Sequence, residues 1–257
     1  MTVWQQAVFQ YRSLADSQRH FVLLGMYLVG SIALGEFRNN KSDIDAVWLL
    51  ENEPTRDEVE FLANRHLGSA SHAPPYLDGV YVTLHRLKTP AADGLPIPFV
   101  VNGVFSGDKP CGDLNPILRQ CLIEHGLTIF GAQPSTLGIV ADRTSTGNWI
   151  RSNLRSYWRS WMAEAKAKVD TRQPDEELNA AALSWGVLGV SRMAATLETG
   201  EIIGKSAAGE WAMRRWPEWA PVLLPALDER AGHLKHATIN QGREALAYMD
   251  YIVTRFS

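Results

Sequence analysis

Two short stretches decide the fold of this 257-residue chain: GSIALGE at residues 30–36 and SDID at residues 42–45. An apolar run at residues 22–29 comes before the first stretch and predicts a buried strand. Gly30 permits a tight turn after that strand. Ser31 then opens a short helix, whose first N–H groups and hydroxyl can seat a phosphate. We therefore expect this turn to bind an anion.

The second stretch places two carboxylates close together. Residues 43–50, DIDAVWLL, begin acidic and become apolar, which predicts a second strand. Asp43 and Asp45 are two residues apart, so their side chains project from the same face of that strand. Two carboxylates directed at one point repel each other unless a cation lies between them. Hard oxygen ligands of this kind suit Mg²⁺, which also binds substrate phosphates.

The order of these parts resembles the signature of the polymerase-β-like nucleotidyltransferase superfamily. The signature joins an apolar strand, Gly-Ser, a small-residue helix, Ser-Asp-x-Asp and a second apolar strand, and all five occur here in order. The resemblance implies a Mg²⁺-dependent transfer of a nucleoside monophosphate from a nucleoside triphosphate. It also implies a nucleotide-binding set made of Gly30, Ser31, Ser42, Asp43 and Asp45, with Asp43 and Asp45 as metal ligands.

A third carboxylate is expected on the next strand. Residues 77–87 are rich in β-branched and aromatic side chains and predict that strand. Asp78 lies at its start and matches the superfamily's additional carboxylate. The resemblance implies that Asp78 binds the metal or accepts the proton of the acceptor hydroxyl. The alternative is an ordinary turn aspartate before Gly79, because Asp-Gly is a common turn pair.

The second half of the chain is predicted to be helical. Apolar residues from Trp149 to Trp161 recur at spacings of three and four and predict one long amphipathic helix. Four further helices are expected, at residues 178–197, at 206–215 with Ser206 as the N-cap, after Pro221, and at 239–256. With a linker at residues 131–135, we expect a nucleotidyltransferase domain at 1–134 and a helical domain at 135–257. The fold class is therefore α+β, a mixed sheet with flanking helices followed by a helical bundle.

A segment of this second half resembles one group of transferases. Residues 199–212, TGEIIGKSAAGEWA, together with Ser191-Arg192, are similar to the C-terminal domain of aminoglycoside adenylyltransferases of the streptomycin/spectinomycin type. The resemblance implies ATP as co-substrate and a small cationic acceptor such as an aminoglycoside. It further implies that Lys205 reaches across an interdomain cleft to the nucleotide phosphates and that Arg192 assists it.

Composition limits the alternatives. A net charge of −3 disfavours a nucleic-acid partner, since such binders cluster Lys and Arg against phosphates. The chain lacks an apolar run of about 18 residues and a signal-like start, so we expect a cytoplasmic protein without membrane contact. Cys111 and Cys121 are expected to be apolar filler, and Trp158, Trp161 and Trp185 to pack in the core. Two other functions stay open: a nucleotidyltransferase acting on protein or RNA, and a non-catalytic nucleotide-binding module.

Overall fold

The computed structural model describes residues 2–16, 22–68, 75–90 and 93–257. The chain divides into two compact units, Met1–Asp142 and Arg143–Ser257. The first contains a six-stranded sheet, whereas the second is mainly helical with one two-stranded ribbon. The predicted α+β fold class is confirmed. The boundary between the units lies after Asp142, whereas the sequence suggests a boundary after Pro134. The residues between these two positions include the buried Leu137 and Ile139 and belong to the first unit.

The sheet of the first unit has one parallel pair at its centre. Its strand order is β5-β4-β3-β2-β1-β6, with β2 and β3 parallel and all other neighbours antiparallel. Parallel alignment brings the starts of β2 and β3 together. The strands are β1 (Leu23–Leu28), β2 (Ile44–Leu50), β3 (Leu77–Thr83), β4 (Phe99–Val101), β5 (Val104–Ser106) and β6 (Leu127–Phe130).

In the described residues of the first unit, five α-helices flank or connect these strands: α1 (Val3–Asp16), α2 (Gly30–Ala33), α3 (Arg56–Gly68), α4 (Leu84–Lys88) and α5 (Pro116–His125). The sequence predicts a first helix that continues to residue 20, and residues 17–20 lie outside the described part of the chain. The predicted strand at 77–87 is too long. Thr83 ends it by accepting a hydrogen bond from the backbone N–H of Arg86 (3.4 Å), and this N-cap starts α4.

The loop region after α4 forms a hairpin that the sequence does not predict. A single strand is expected at residues 98–104, but the chain reverses between β4 and β5. Asn102 and Gly103 form the turn with φ values of 51° and 72°. Asn-Gly is the residue pair preferred in tight hairpin turns, because both positions need positive φ. The predicted strand therefore spans β4, this turn and the first residue of β5.

One face of the sheet carries an aromatic core. Trp48 of β2 stacks on Tyr81 of β3, with ring centroids 4.4 Å apart. The Tyr81 hydroxyl hydrogen-bonds to His66 Nε2 at 2.7 Å and to the hydroxyl of Tyr11 on α1. All four side chains are almost fully buried. Because side chains alternate along β2 and β3, this packing leaves the opposite face for the acidic residues.

The second unit is mainly helical and also contains one π-helical turn and one two-stranded antiparallel sheet. The sequence predicts one long helix at 149–161. In the structure this helix is interrupted by a π-helical turn at Leu154–Trp158, which separates α6 from α7. The extra residue of a π turn shifts the helix faces, which three-and-four spacing does not reveal. The elements are α6 (Arg143–Asn153), α7 (Arg159–Asp170), β7 (Glu177–Asn179), α8 (Ala180–Thr199), α9 (Lys205–Arg215), α10 (Ala220–Ala231), β8 (His236–Thr238) and α11 (Ile239–Phe256).

Helix α8 is the central element of this unit. It ends as predicted at Gly200, which adopts the left-handed conformation with φ 77°. By length and composition it is the single described helix apolar enough to cross a membrane, but 67% of that stretch is buried inside the protein. Such burial is typical of a core helix. Ser206 is not the N-cap of α9, since the helix begins one residue earlier at Lys205 with Gly204 as N-cap.

Candidate active site

The paired starts of β2 and β3 bring two of the predicted aspartates together. Asp45 and Asp78 are direct partners in the parallel register, one pair after Ile44 and Leu77. Ile44 is fully buried in the aromatic core. Since neighbouring residues on a strand face opposite ways, Asp45 projects from the other side of the sheet, as does Asp43 just before β2. The structure thus places all three predicted carboxylates at the start of this strand pair.

Gly30 provides the space that Asp45 occupies. The backbone N–H of Val29 donates to the carbonyl oxygen of Asp45 (2.9 Å), which ties the end of β1 to the start of β2. Gly30 has a φ of 57°, and a Cβ atom on it would lie 2.0 Å from Asp45 Oδ2. Any other residue would displace that carboxylate. The glycine that the sequence motif requires is therefore explained by close approach as well as by its turn.

Ser31 presents a buried hydroxyl in the next position. Its Oγ atom is inaccessible to solvent and has no hydrogen-bond partner among the described residues. Leaving a buried hydroxyl unsatisfied costs about 1–3 kcal/mol. A ligand oxygen that accepts from this hydroxyl would remove the cost. Ser31 consequently fits its predicted role as a phosphate contact.

Ser42 has a structural role in the loop before β2. Its Oγ accepts a hydrogen bond from the backbone N–H of Arg38 (3.2 Å), and its own N–H donates to the Arg38 carbonyl oxygen (3.0 Å). These two bonds close the loop between α2 and β2, where Asn40 adopts a φ of 63°. Ser42 is buried and directly precedes Asp43. The contacts shown make Ser42 a residue that fixes the start of β2.

Asp78 is held by the β4–β5 hairpin. Its two carboxylate oxygens accept hydrogen bonds from the turn, Oδ2 from the Asn102 N–H (2.6 Å) and Oδ1 from the Gly103 N–H (2.9 Å). The side chain is 8% exposed. Burial raises the pKa of Asp78 from 3.8 to about 6, and its effect exceeds the opposing effect of the two backbone hydrogen bonds. Asp78 can therefore exchange a proton near neutral pH, as a catalytic base must.

A fourth carboxylate belongs to the same region. The negative charges of Asp43 and Asp113 both raise the pKa of Asp78 further. Asp113 lies in the loop before α5, and its partly enclosed position raises its own pKa. Sequence reasoning missed this residue, because an aspartate between Gly112 and Leu114 looks like an ordinary loop residue. The site is thus strongly acidic, which favours a cationic ligand.

The acidic residues fit a magnesium ion that substrate helps to bind. Among the described residues, no group of three or more His, Cys, Asp and Glu side chains could hold a metal by itself. Mg²⁺ is usually bound through one or two carboxylates, with substrate phosphates and water as the other ligands. Asp43 and Asp45 provide that number beside the unsatisfied hydroxyl of Ser31. Asp78 is occupied by two backbone donors, so its oxygens are less available to a metal.

The two remaining predicted residues lie in the second unit. Lys205 is the first residue of α9, and its Nζ is 4.3 Å from the ring centroid of Trp185 on α8. Arg192 lies on α8, seven residues or about two turns after Trp185, and is partly buried. Trp185 is 46% exposed, so its predicted place in the core is wrong. Trp158, in contrast, is buried as expected.

The first unit carries a sheet with acidic strand starts, and a mainly helical unit follows it in the chain. Residues 183–255 match the family model described as the aminoglycoside adenylyltransferase C-terminal domain. This match lies within the second unit, and the resemblance noted in the sequence is confirmed.

Comparison with solved structures extends the likeness to the whole fold. The spectinomycin adenyltransferase AAD(9) from Enterococcus faecialis, solved with ATP and spectinomycin, matches with a TM-score of 0.69. The match covers 98% of each chain at 16% sequence identity, so it shows a shared fold. No curated protein sequence matches the chain.

Proposed function

We propose that this protein transfers AMP from ATP to a hydroxyl group of a cationic aminoglycoside-type acceptor and releases pyrophosphate. The observation that carries the proposal is the acidic strand pair, in which Asp45 lies against Gly30 and beside Asp78. The family match of residues 183–255 and the fold shared with a spectinomycin adenyltransferase bound to ATP support the same reaction.

Binding of the triphosphate is assigned to the first turn after β1. Ser31 Oγ donates a hydrogen bond to a phosphate oxygen, which satisfies its buried hydroxyl. Asp43 and Asp45 would hold Mg²⁺, which when bound would neutralise phosphate charge and favour attack at the α-phosphorus. Gly30 keeps the Asp45 carboxylate in place. Contacts of Lys205 and Arg192 with the nucleotide stay predictions from the family resemblance.

Proton transfer is assigned to Asp78. The acceptor hydroxyl oxygen bonds to the α-phosphorus in line with the departing pyrophosphate, and its proton passes to the Asp78 carboxylate. The hairpin N–H groups of Asn102 and Gly103 keep that carboxylate oriented. Because the pKa of Asp78 is raised to about 6, it is ionised at neutral pH yet basic enough to take the proton.

The acceptor class follows from local charge. Asp43, Asp78 and Asp113 all carry carboxyl groups in one region, and their mutual repulsion is relieved by a positively charged ligand. A polyamine sugar supplies both the hydroxyl nucleophile and ammonium groups. Neutral polyols supply the hydroxyl alone and should be poor acceptors.

Pyrophosphate release with Mg-ATP, measured across aminoglycosides and matched neutral sugars, tests the proposal. Asp43→Asn and Asp45→Asn should reduce transfer by about a hundredfold or more, since metal stabilisation of phosphoryl charge supplies several kcal/mol. Asp57→Asn is the matched control, because Asp57 is an exposed aspartate on α3 and its change removes the same charge. A folded Asp43→Asn/Asp45→Asn double variant with full activity would contradict the assignment. Label from ATP recovered in protein or RNA alone would contradict the acceptor class.

A further inference from the structure

The β4–β5 hairpin carries two exposed valines beside the candidate base. Val101 is the last residue of β4 and Val104 the first of β5, and they are direct partners across the turn. Val101 is 37% exposed and Val104 is 69% exposed. Single exposed apolar side chains are ordinary on a protein surface. These two, referred to as the valine pair, instead form one continuous apolar surface on which a ligand can pack.

Strand register places the valine pair next to Asp78. Gly79 pairs with Val100 in the antiparallel ladder of β3 and β4. Continued by one position, this register sets Val101 opposite Asp78, and the turn after Val101 donates two hydrogen bonds to the Asp78 carboxylate. Residues directly opposite in a ladder have their side chains on one face, with Cβ atoms about 4.5–5.5 Å apart. Val101 therefore lies beside Asp78, and Val104 lies one strand further on.

Burial of the neighbouring residues confirms which face the valine pair occupies. Val100 is fully buried, and its partner on β5, Phe105, packs against the aromatic core. Because side chains alternate along a strand, Val101 and Val104 point to the opposite face of the sheet. That face is the one that carries the acidic residues.

One row of side chains thus crosses four strands on the acidic face, in the order Asp45, Asp78, Val101 and Val104. Neighbouring strands are about 4.8 Å apart. The candidate base consequently has a metal-binding candidate on one side and the valine pair on the other. Because the triphosphate is assigned to the Asp45 side, the body of the acceptor is left with the side of the valine pair.

We propose that the valine pair is an acceptor subsite, in which Val101 and Val104 pack against the C–H face of the ring that bears the reacting hydroxyl. The inference rests on the proposed function, because it takes Asp78 as the base and an aminoglycoside-type molecule as the acceptor. It deepens that function by giving the acceptor a direction, from Asp78 toward the edge strand β5.

The subsite also restricts the class of acceptor. A sugar or cyclitol ring with equatorial hydroxyl and ammonium groups presents its axial C–H groups as two apolar faces. The distance from Asp78 to Val104 is two strand spacings, about 10 Å, which accommodates one such ring with its substituents. The valine pair therefore favours a cationic ring with an uninterrupted C–H face. A ring with an axial polar group on that face would bury the group without a hydrogen-bond partner.

Steady-state transfer to spectinomycin and to streptomycin, followed by pyrophosphate release, is the kinetic test. The Val101→Thr/Val104→Thr double variant keeps the shape and β-branching of both side chains and replaces one methyl group of each by a hydroxyl. It should raise the acceptor KM about 5- to 15-fold, since each apolar carbon withdrawn from contact costs about 3- to 4-fold in affinity. The kcat and the KM for Mg-ATP should stay near the wild-type values, because the lost contact binds ground state and transition state alike.

A conservative variant and a matched control complete the kinetic test. Val101→Ile/Val104→Ile keeps the surface apolar and should keep the wild-type acceptor KM. Val22→Thr is the control, because Val22 is 55% exposed and precedes Leu23, which pairs with Leu50 at the far end of β2. It should leave every kinetic constant unchanged. Thermal melts show whether all variants fold.

Methyl NMR of valine-labelled protein gives a readout that does not depend on turnover. The sample contains Mg²⁺ and an ATP analogue whose α–β bridging oxygen is replaced by methylene, which blocks AMP transfer. Adding spectinomycin or streptomycin should shift the methyl signals of Val101 and Val104 and leave those of Val22 in place.

The outcomes separate this inference from the proposed function. An unchanged acceptor KM in the double threonine variant, a loss of kcat alone, or unshifted methyl signals with both probes would overturn the subsite. If the methyl signals shift but neither probe yields pyrophosphate, transfer to this class of acceptor is wrong and the subsite stands. If transfer proceeds without methyl shifts, the subsite alone is refuted, and the absence of both shifts and transfer refutes the two proposals together.

Discussion

The Asp45 carboxylate occupies the space that a side chain on Gly30 would fill. A Cβ on Gly30 would lie 2.0 Å from Asp45 Oδ2 and 2.9 Å from the carboxyl carbon. Gly30 follows the end of β1, and Asp45 lies at the start of β2. The two residues come together because β1 and β2 pair antiparallel. The glycine of the Gly-Ser motif is thus coupled through packing to Asp45, one of the two metal-binding candidates, in addition to its role in the turn.

Gly30→Ala should therefore impair transfer strongly while leaving a folded protein. The methyl group forces the Asp45 carboxylate away from its position, and a misplaced catalytic group costs about a hundredfold in rate. The unfavourable φ of 57° adds about 1–2 kcal/mol of destabilisation. Steady-state pyrophosphate release and thermal melts measure the two effects.

Gly35→Ala is the control that separates the effect of backbone strain from the effect of displacing the Asp45 carboxylate. Gly35 also has a positive φ, 70°, but nothing lies within 4 Å of a Cβ built on it. This variant should show a similar loss of stability with nearly normal transfer. Equal kinetic damage in both variants would show that backbone strain, and not the Asp45 contact, explains the need for glycine.

The pH dependence of transfer should report Asp78. Burial raises the pKa of this carboxyl to about 6, so the base form accumulates as the pH rises through that value. Transfer at saturating substrate should increase from pH 5 to 7 and then level off, and Asp78→Asn should abolish the increase together with most of the activity. Full activity in Asp78→Asn, or a flat profile in the wild type, would argue that another group takes the proton.

The same pKa shift has a defined effect on folding. Because the folded-state pKa of Asp78 lies above its usual value of 3.8, the folded protein binds this proton more tightly than the unfolded chain. Asp78 therefore favours folding most below pH 3.8, and this contribution declines as the pH rises through about 6. In metal-free protein, the stability of Asp78→Asn relative to wild type should increase over that interval in urea unfolding.

His66 should make the protein sensitive to acid. Burial, assisted by the charge of Arg65, lowers the pKa of His66 from 6.5 to about 4. Above pH 6.5 neither state binds the proton, but between 6.5 and 4 the unfolded chain binds it and the folded protein does not. The free energy of unfolding should therefore decrease as the pH is lowered, and should be about 2 kcal/mol smaller at pH 5 than at pH 7.5.

His66→Gln isolates this effect, because glutamine does not titrate and can still bond to the Tyr81 hydroxyl. Urea unfolding of both proteins from pH 7.5 to 5 should show the wild type losing stability relative to the variant. A constant difference across this range would show that His66 keeps its ordinary pKa in the folded state.

Gly189→Ala should destabilise the second unit. Its methyl group would lie 2.3 Å from the ring of Trp158, which is buried and cannot move aside. Overpacking of this kind costs about 1–3 kcal/mol. Gly147→Ala on α6 is the control: the nearest atom is the flexible end of Arg151 at 3.2 Å, so it should stabilise by about 0.5–1 kcal/mol. Chemical denaturation of both variants checks the contrast, and the opposite order would refute the packing at Trp158.

Much of the fold was predictable because local patterns matched the final elements. The apolar run before Gly30, the start of β2 and the stop of α8 at Gly200 all occur where the sequence indicates. The errors fall where local spacing is ambiguous. The turn at Asn102–Gly103 and the π-helical turn at Leu154–Trp158 both change direction or register within otherwise regular apolar patterns.

The sequence by itself determined the identity and order of the acidic motif, the α+β division and the likeness of residues 199–212 to a transferase domain. It did so because these features depend on neighbours in the chain. Only the tertiary structure decided that Asp78 is held by a hairpin turn, that Asp113 joins the acidic region and that Lys205 lies on Trp185. Each of these relations joins residues at least twenty positions apart, and such contacts arise from strand pairing and helix packing, which residue spacing does not encode.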